Sequence, residues 1–149
     1  MTIGHFCNPH VVTASRDTTV LEAAHLMRNT HVGDVVIVDE VDGGRRPVGI
    51  VTDRDIVIEV VSPGLDAAAI QLGDLQLRAL VTMRDRASYA ETVHAMVEHG
   101  VRRMPVINDA GLLVGIITLD DILRQLAVPL AELAAVPRRE RAPELRMRA

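Results

Sequence analysis

Apolar positions recur along this chain with two alternating periods. Val20, Ala23, Ala24 and Met27 fall three or four residues apart behind Thr19-x-x-Glu22, a capping box, and predict a helix with one buried stripe. Asp34 to Asp39 is a β-branched run with polar ends and reads as a buried strand. The Gly43-Gly44 turn leads to a second strand, Pro47 to Val51, and a helix from Asp53 to about Val61 stops at Ser62-Pro63-Gly64. Val11-Val12-Thr13 is a short strand candidate ahead of them. The pattern then restarts. Ser88-x-x-Glu91 is a second capping box, and Val93, Met96 and Val97 supply the stripe. Met104 to Ile107 and Leu112 to Ile117 are strands, followed by a helix from Leu119 or Asp120 to Leu126. Each unit reads β-α-β-β-α.

The two units are also alike residue by residue. Val48-Gly49-Ile50 and Thr52-x-x-Asp55-Ile56 return as Val114-Gly115-Ile116 and Thr118-x-x-Asp121-Ile122. A shift of 69 residues aligns Thr19 with Ser88, Glu22 with Glu91, His25 with His94 and Met27 with Met96, and the shift falls to 66 past the turn. The three missing residues come out of a Gly-containing turn, where length changes are tolerated. Two copies of one supersecondary unit usually pack on each other. The expected division is 7–64 for the first repeat, 65–80 for a connector, 81–127 for the second repeat, and 128–149 for a C-terminal extension. Helix is expected in part of the connector, around Asp66 to Leu72, and again from Pro129 to Val136. Pro137 onward holds five Arg, two Glu and two Pro, and reads as a disordered tail. Residues 1–10 lack periodicity and read as a mobile N-terminus.

Composition narrows the class. A chain of 149 residues is about one domain, and 48% apolar content with one Phe, one Tyr and no Trp requires an aliphatic core. No apolar run approaches the roughly 18 residues of a membrane span, and there is no signal-peptide pattern. A single cysteine, Cys7, makes no internal disulfide, so the cytoplasm is the expected compartment. The net charge of −4 and the scarcity of aromatics argue against nucleic-acid binding. All 16 basic residues are Arg, which reads mainly as genomic composition bias, although Arg also suits phosphate contacts.

The chemistry concentrates at the repeated motif. A strand ending at Val51 feeds a helix starting near Asp53, whose N-terminal N–H groups and dipole favour a phosphate. Thr52 adds a hydroxyl, and the Asp55 carboxylate is an acceptor suited to a diol. Without aromatics, an adenine ring would lie between Val, Ile and Leu side chains. The same motif is also a helix capping box, so helix initiation alone explains its residue types. His5-x-Cys7-x-x-His10 has metal-ligand residue types but no second ligand cluster, and reads as surface. No spacing suggests a catalytic triad or a Cys/His pair.

Tandem Gly-h-h-Thr-x-x-Asp motifs, with h apolar, resemble a pair of cystathionine β-synthase (CBS) domains over about residues 7–127. Arg102-Arg103-Met104-Pro105-Val106 also resembles the family pattern, whereas its first-repeat counterpart, Gly33-Asp34-Val35-Val36-Ile37, lacks the Arg and the Pro. The resemblance implies an α/β (α+β) fold of two β-α-β-β-α repeats about a pseudo-twofold axis. It implies adenine nucleotides or S-adenosylmethionine in clefts between them, the motif Asp on ribose and the motif Thr on phosphate. One cleft would gather Thr52, Arg54 and Asp55 with Leu80, Val81, Thr82 and Val101, Arg102, Arg103, Met104. The other would gather Thr118 and Asp121 with Val12, Thr13, Val32 and Gly33. Arginines in the first and Asp120 and Asp34 around the second predict one phosphorylated nucleotide per chain, in the Asp55 cleft. The resulting expectation is a non-catalytic sensor without cofactor or metal, acting as a homodimer on an unknown effector protein. A structural assembly module with degenerate clefts is the alternative.

Overall fold

The computed structural model describes residues 2–147, with side chains through residue 136. Each half is a three-stranded sheet with helices. The first half runs β1 (Thr13–Ala14), α1 (Val20–Thr30), β2 (Asp34–Val41), β3 (Gly44–Thr52) and α2 (Asp53–Ile56). The helix α2 continues without a break as a π-helix, Val57–Val61. The second half runs β4 (Met83–Arg84), α3 (Tyr89–His99), β5 (Arg103–Ile107), β6 (Leu113–Thr118) and α4 (Leu119–Met147). In each sheet the short strand pairs parallel with the middle strand, and the hairpin is antiparallel. The β-α-β-β-α repeat is thus present twice.

Capping sets the helix starts. Thr19 and Ser88 each accept the N–H of the Glu three residues on, and each Glu accepts the cap's own N–H. Both helices end on a left-handed residue, His31 at φ 56° and Gly100 at φ 61°. Glycine adopts that conformation without strain, whereas histidine does so at a cost. Val20, Ala23 and Met27 are the buried stripe of α1. In α3 the buried residues are Thr92 and Met96, and Val97 is 77% exposed, against its expected place in the stripe. Thr92 is the 69-residue counterpart of Ala23, and it can be buried because its hydroxyl donates to the Ser88 carbonyl at 2.9 Å.

The halves exchange arms. The N-terminus, read from sequence as mobile, is pinned to the second half: Ile3 N–H donates to Ala87 O, Gly4 N–H to Asp85 O, and Asn8 pairs with Ile116 in both directions. Ile3 is buried in the core with Met96, Met104, Val106 and Ile117. The connector does the same on the first half. Leu72 is buried with Val20, Met27 and Val35, and Leu72 and Gly73 N–H groups donate to Thr18 and Arg16 carbonyls. Those backbone bonds leave only a 3-10 turn, Leu72–Asp74, where helix was expected from Asp66. A third cluster, Val36, Val38 and Ile116, joins the two sheets.

The C-terminal extension also differs from expectation. Leu119–Met147 is one helix, not two helices and a disordered tail. The helix runs through Pro129 against that residue's lost N–H and its clash with the preceding turn, and the Leu, Ala, Glu and Arg around it favour helix. The side chains of the Arg-rich tail, and all of Arg148 and Ala149, lie outside the described residues. Among the described residues no helix is long and apolar enough to cross a membrane.

Candidate functional site

The cleft that holds the first motif is built by both halves. The end of β3 and the start of α2 bring Ile50, Thr52, Asp53, Arg54, Asp55, Ile58 and Glu59 to one wall. The other wall is Gln76, Arg78, Ala79 and Val81 from the connector, with Gly100, Val101, Arg102 and Arg103 between α3 and β5. The space is about 610 Å³, within the usual range for a small-molecule site.

Local geometry fixes the motif. Asp55 Oδ2 accepts both the Thr52 N–H and the Thr52 hydroxyl, each at 2.8 Å, and the Asp55 N–H donates to Thr52 Oγ1 at 3.2 Å. The capping box is therefore real, and it occupies one carboxylate oxygen. Oδ1 has no partner among the described residues. Asp53 N–H donates to the Gly33 carbonyl, which ties the helix start to the link between α1 and β2.

Arg103 is not free. It is ion-paired with Asp34, its own counterpart under the 69-residue shift, so the pair straddles the pseudo-twofold relation between the halves. Burial pushes the Asp34 carboxyl above the usual carboxylate range, Arg103 pulls it back only in part, and nearby Asp53 pushes it further up. The cleft thus holds Arg54, Arg78 and Arg102 with exposed side chains, and Arg103 shared with a carboxylate. Asp53, Asp55 and Glu59 oppose them.

Of the expected residues, Thr52, Arg54, Asp55, Val81, Val101, Arg102 and Arg103 come together here. Leu80 and Thr82 do not line the space, and Met104 is fully buried in the second core. Strand alternation explains the last of these: Arg103 of β5 faces the cleft, so Met104 faces the core. Sequence reasoning missed Gln76, Arg78, Ile58 and Glu59. One more helical turn past Asp55 would have found Ile58 and Glu59; the connector residues carried no periodic signal.

The second motif forms the same capping box, with Asp121 Oδ2 accepting from Thr118 N–H at 3.0 Å and from its hydroxyl at 2.7 Å. Arg124 lies 3.4 Å from Asp121 Oδ1. Val12, Thr13, Val32 and Gly33, expected to face this motif, are half-buried, and Thr13 Oγ1 accepts from Arg45 at 2.8 Å.

Near the N-terminus, Thr2, His5, Cys7, Asp85 and Arg86 border a smaller space of about 360 Å³. Burial raises the Cys7 thiol above its ordinary range, which keeps it protonated. Among the described residues no three His, Cys, Asp or Glu side chains converge as a metal cluster would require.

The comparisons with known proteins agree with this architecture. The CBS domain family model matches residues 3–62 and 72–128. An uncharacterized protein of Methanopyrus kandleri is 38% identical over 83% of this chain, which spans 62% of that relative's length. Hypoxic response protein 1 of Mycobacterium tuberculosis is 38% identical over 119 residues, 80% of each chain. A crystal structure of Hypoxic Response Protein I with two coordinated zinc ions superposes with a TM-score of 0.73 at 37% identity, covering 83% of this chain and 98% of that one. The CBS domain pair of protein MJ0100, in complex with 5'-methylthioadenosine and S-adenosyl-L-methionine, superposes with a TM-score of 0.71 over 85% of this chain and 99% of that one; at 22% identity it speaks to the fold alone.

Proposed function

This chain belongs to the CBS-domain family, and we propose that it is a non-catalytic sensor that binds an adenine nucleotide in the Asp55 cleft. The observation that carries the reading is the meeting of four Arg side chains with an apolar wall and the Thr52–Asp55 helix start in one space. Adenine would lie among Ile50, Ile58, Val81 and Val101. The ribose diol would meet the open oxygen of Asp55, and Arg54, Arg78 and Arg102 would grip phosphate with paired hydrogen bonds. S-adenosylmethionine, bound by the distant pair described above, fits this cleft less well because its sulfonium would face those arginines.

Binding acts by population shift: the ligand stabilises whichever arrangement of the halves it contacts best. The output passes through a homodimer to an effector protein. The second reading, an assembly module without ligand, draws on the fact that both Thr–Asp pairs are already satisfied as caps. Titration calorimetry with AMP, ADP and ATP separates them. The sensor reading expects a stoichiometry near one per chain; no heat and no thermal shift with any of the three would leave the assembly reading.

A further inference from the structure

Helix α4 outruns the body of the molecule. Its first turns face inward, with Ile122 buried in the second core and Leu119 packed against it. Leu119, Leu123, Leu126, Leu130 and Leu133 then follow at alternating spacings of four and three, a seam of period 3.5. The side of the helix that packs on the core at Leu119 is thus the side that carries leucine beyond it. Among the described residues nothing covers it there: Leu126 is 41% exposed, Leu130 61% and Leu133 66%. From Leu126 to Val136 the one charged residue is Glu132. Exposed apolar stripes of this kind mark interaction surfaces.

We propose that this seam pairs antiparallel with the same seam of a second copy of the chain. The inference rests on the dimer reading above and assigns it a surface. Two features commit it to that occupant. The 4-3 leucine spacing is self-complementary, as a two-fold interface requires, and the near absence of charge gives an oppositely charged partner nothing to recognise. The ends of the helix then choose the direction. It begins with Asp120 and Asp121 and its later turns contain Arg138, Arg139 and Arg141. Antiparallel pairing sets Leu126 beside Leu130 of the partner subunit and brings the acidic start within about one turn of the partner's basic end. Parallel pairing would set the two acidic helix starts side by side.

Two measurements on the full chain test this. Sedimentation equilibrium should give a dimer for the unaltered chain and a monomer for Leu130→Glu with Leu133→Glu. The far-UV circular dichroism should stay unchanged, because within one chain both side chains are exposed and the fold does not need them. In a Cys7→Ser background, equal amounts of Leu126→Cys and Leu130→Cys chains should oxidise to the mixed disulfide several-fold more than to either like pair. A monomeric unaltered chain would sink both the inference and the dimer reading. A dimer that survives the double Glu change would sink the inference and leave a dimer built elsewhere. Predominantly like-with-like disulfides would overturn the antiparallel arrangement.

Discussion

At Thr52 and at Thr118 the same capping box starts a helix from the end of a strand, yet the charged side chains around the two differ. The first has Arg54, Arg78, Arg102 and Arg103 nearby. Their counterparts under the repeat are Asp120, Pro9, Gly33 and Asp34. The Thr and Asp that define the motif are held by each other in both halves. They secure the helix start, and the selectivity of each cleft falls to residues outside the cap. A repeat can therefore preserve its backbone twice while the side chains around it differ.

The comparison can be broken most forcefully at the exchanged arms. Ile3 and Leu72 are each 1% exposed and occupy equivalent places in opposite cores. Ile3→Ala and Leu72→Ala should each cost ~2–5 kcal/mol in denaturant melts, as for other buried large-to-small changes. A loss confined to Leu72→Ala would show that the N-terminal arm does not anchor the second half.

The motif glycines should separate the halves next. A Cβ at Gly115 would stand 2.5 Å from Cys7 Sγ and 3.0 Å from the Asn8 carbonyl oxygen. At Gly49 it would meet the Ile37 Cδ1 methyl at 3.3 Å, the end of a flexible side chain. Gly115→Ala should cost ~1–3 kcal/mol, as overpacking does, and Gly49→Ala less. Equal melting temperatures for the two variants would contradict the arm's close seating on β6.

Ligand affinity sharpens the contrast in charge. Asp55→Ala should weaken AMP or ATP binding by ~1–3 kcal/mol, the range for a lost charged hydrogen bond. Asp121→Ala should change it little. The reverse ranking by calorimetry would refute the assignment of the phosphate to the arginine-lined cleft.

The smallest effect is one in which the halves should agree. Cap hydrogen bonds from Thr19 and Ser88 hold the Glu22 and Glu91 carboxyls below their ordinary range. A carboxyl depressed on folding stabilises the fold above its unfolded pKa, and that stability is lost as pH falls through the folded value. Glu22→Gln and Glu91→Gln should each slightly flatten the acid limb of a stability-versus-pH curve, to a similar extent. A flattening seen with only one would mean the two boxes are not equivalent in solution.

Much of this was legible in the chain because it is local. The capping boxes, the β-branched strand from Asp34 and the repeated Gly-x-x-Thr-x-x-Asp follow from neighbours a few residues apart. The arms were not, because a single apolar residue in a stretch without period gives no pattern. The signal was there in the repeat itself: extending the 69-residue shift aligns Ile3-Gly4 with Leu72-Gly73. The cleft was half legible for the same reason. Motif residues announced themselves, whereas Gln76 and Arg78 reach the site only through the path of the connector. The pairing of Arg103 with Asp34, 69 residues apart, is a tertiary fact that charge alone did not reveal.

The arm exchange also orders the birth of the molecule. A chain emerges from the ribosome N-terminus first, and segments fold as they appear. The first half cannot close its core until Leu72 has emerged. The segment around Ile3, made ahead of both repeats, has its docking site at Asp85 to Ala87 and at Ile116, so it must wait until the second repeat has been made. Residues made ahead of the first repeat are thus among the last to find their place, and a nascent chain stalled between the repeats would carry an unseated arm.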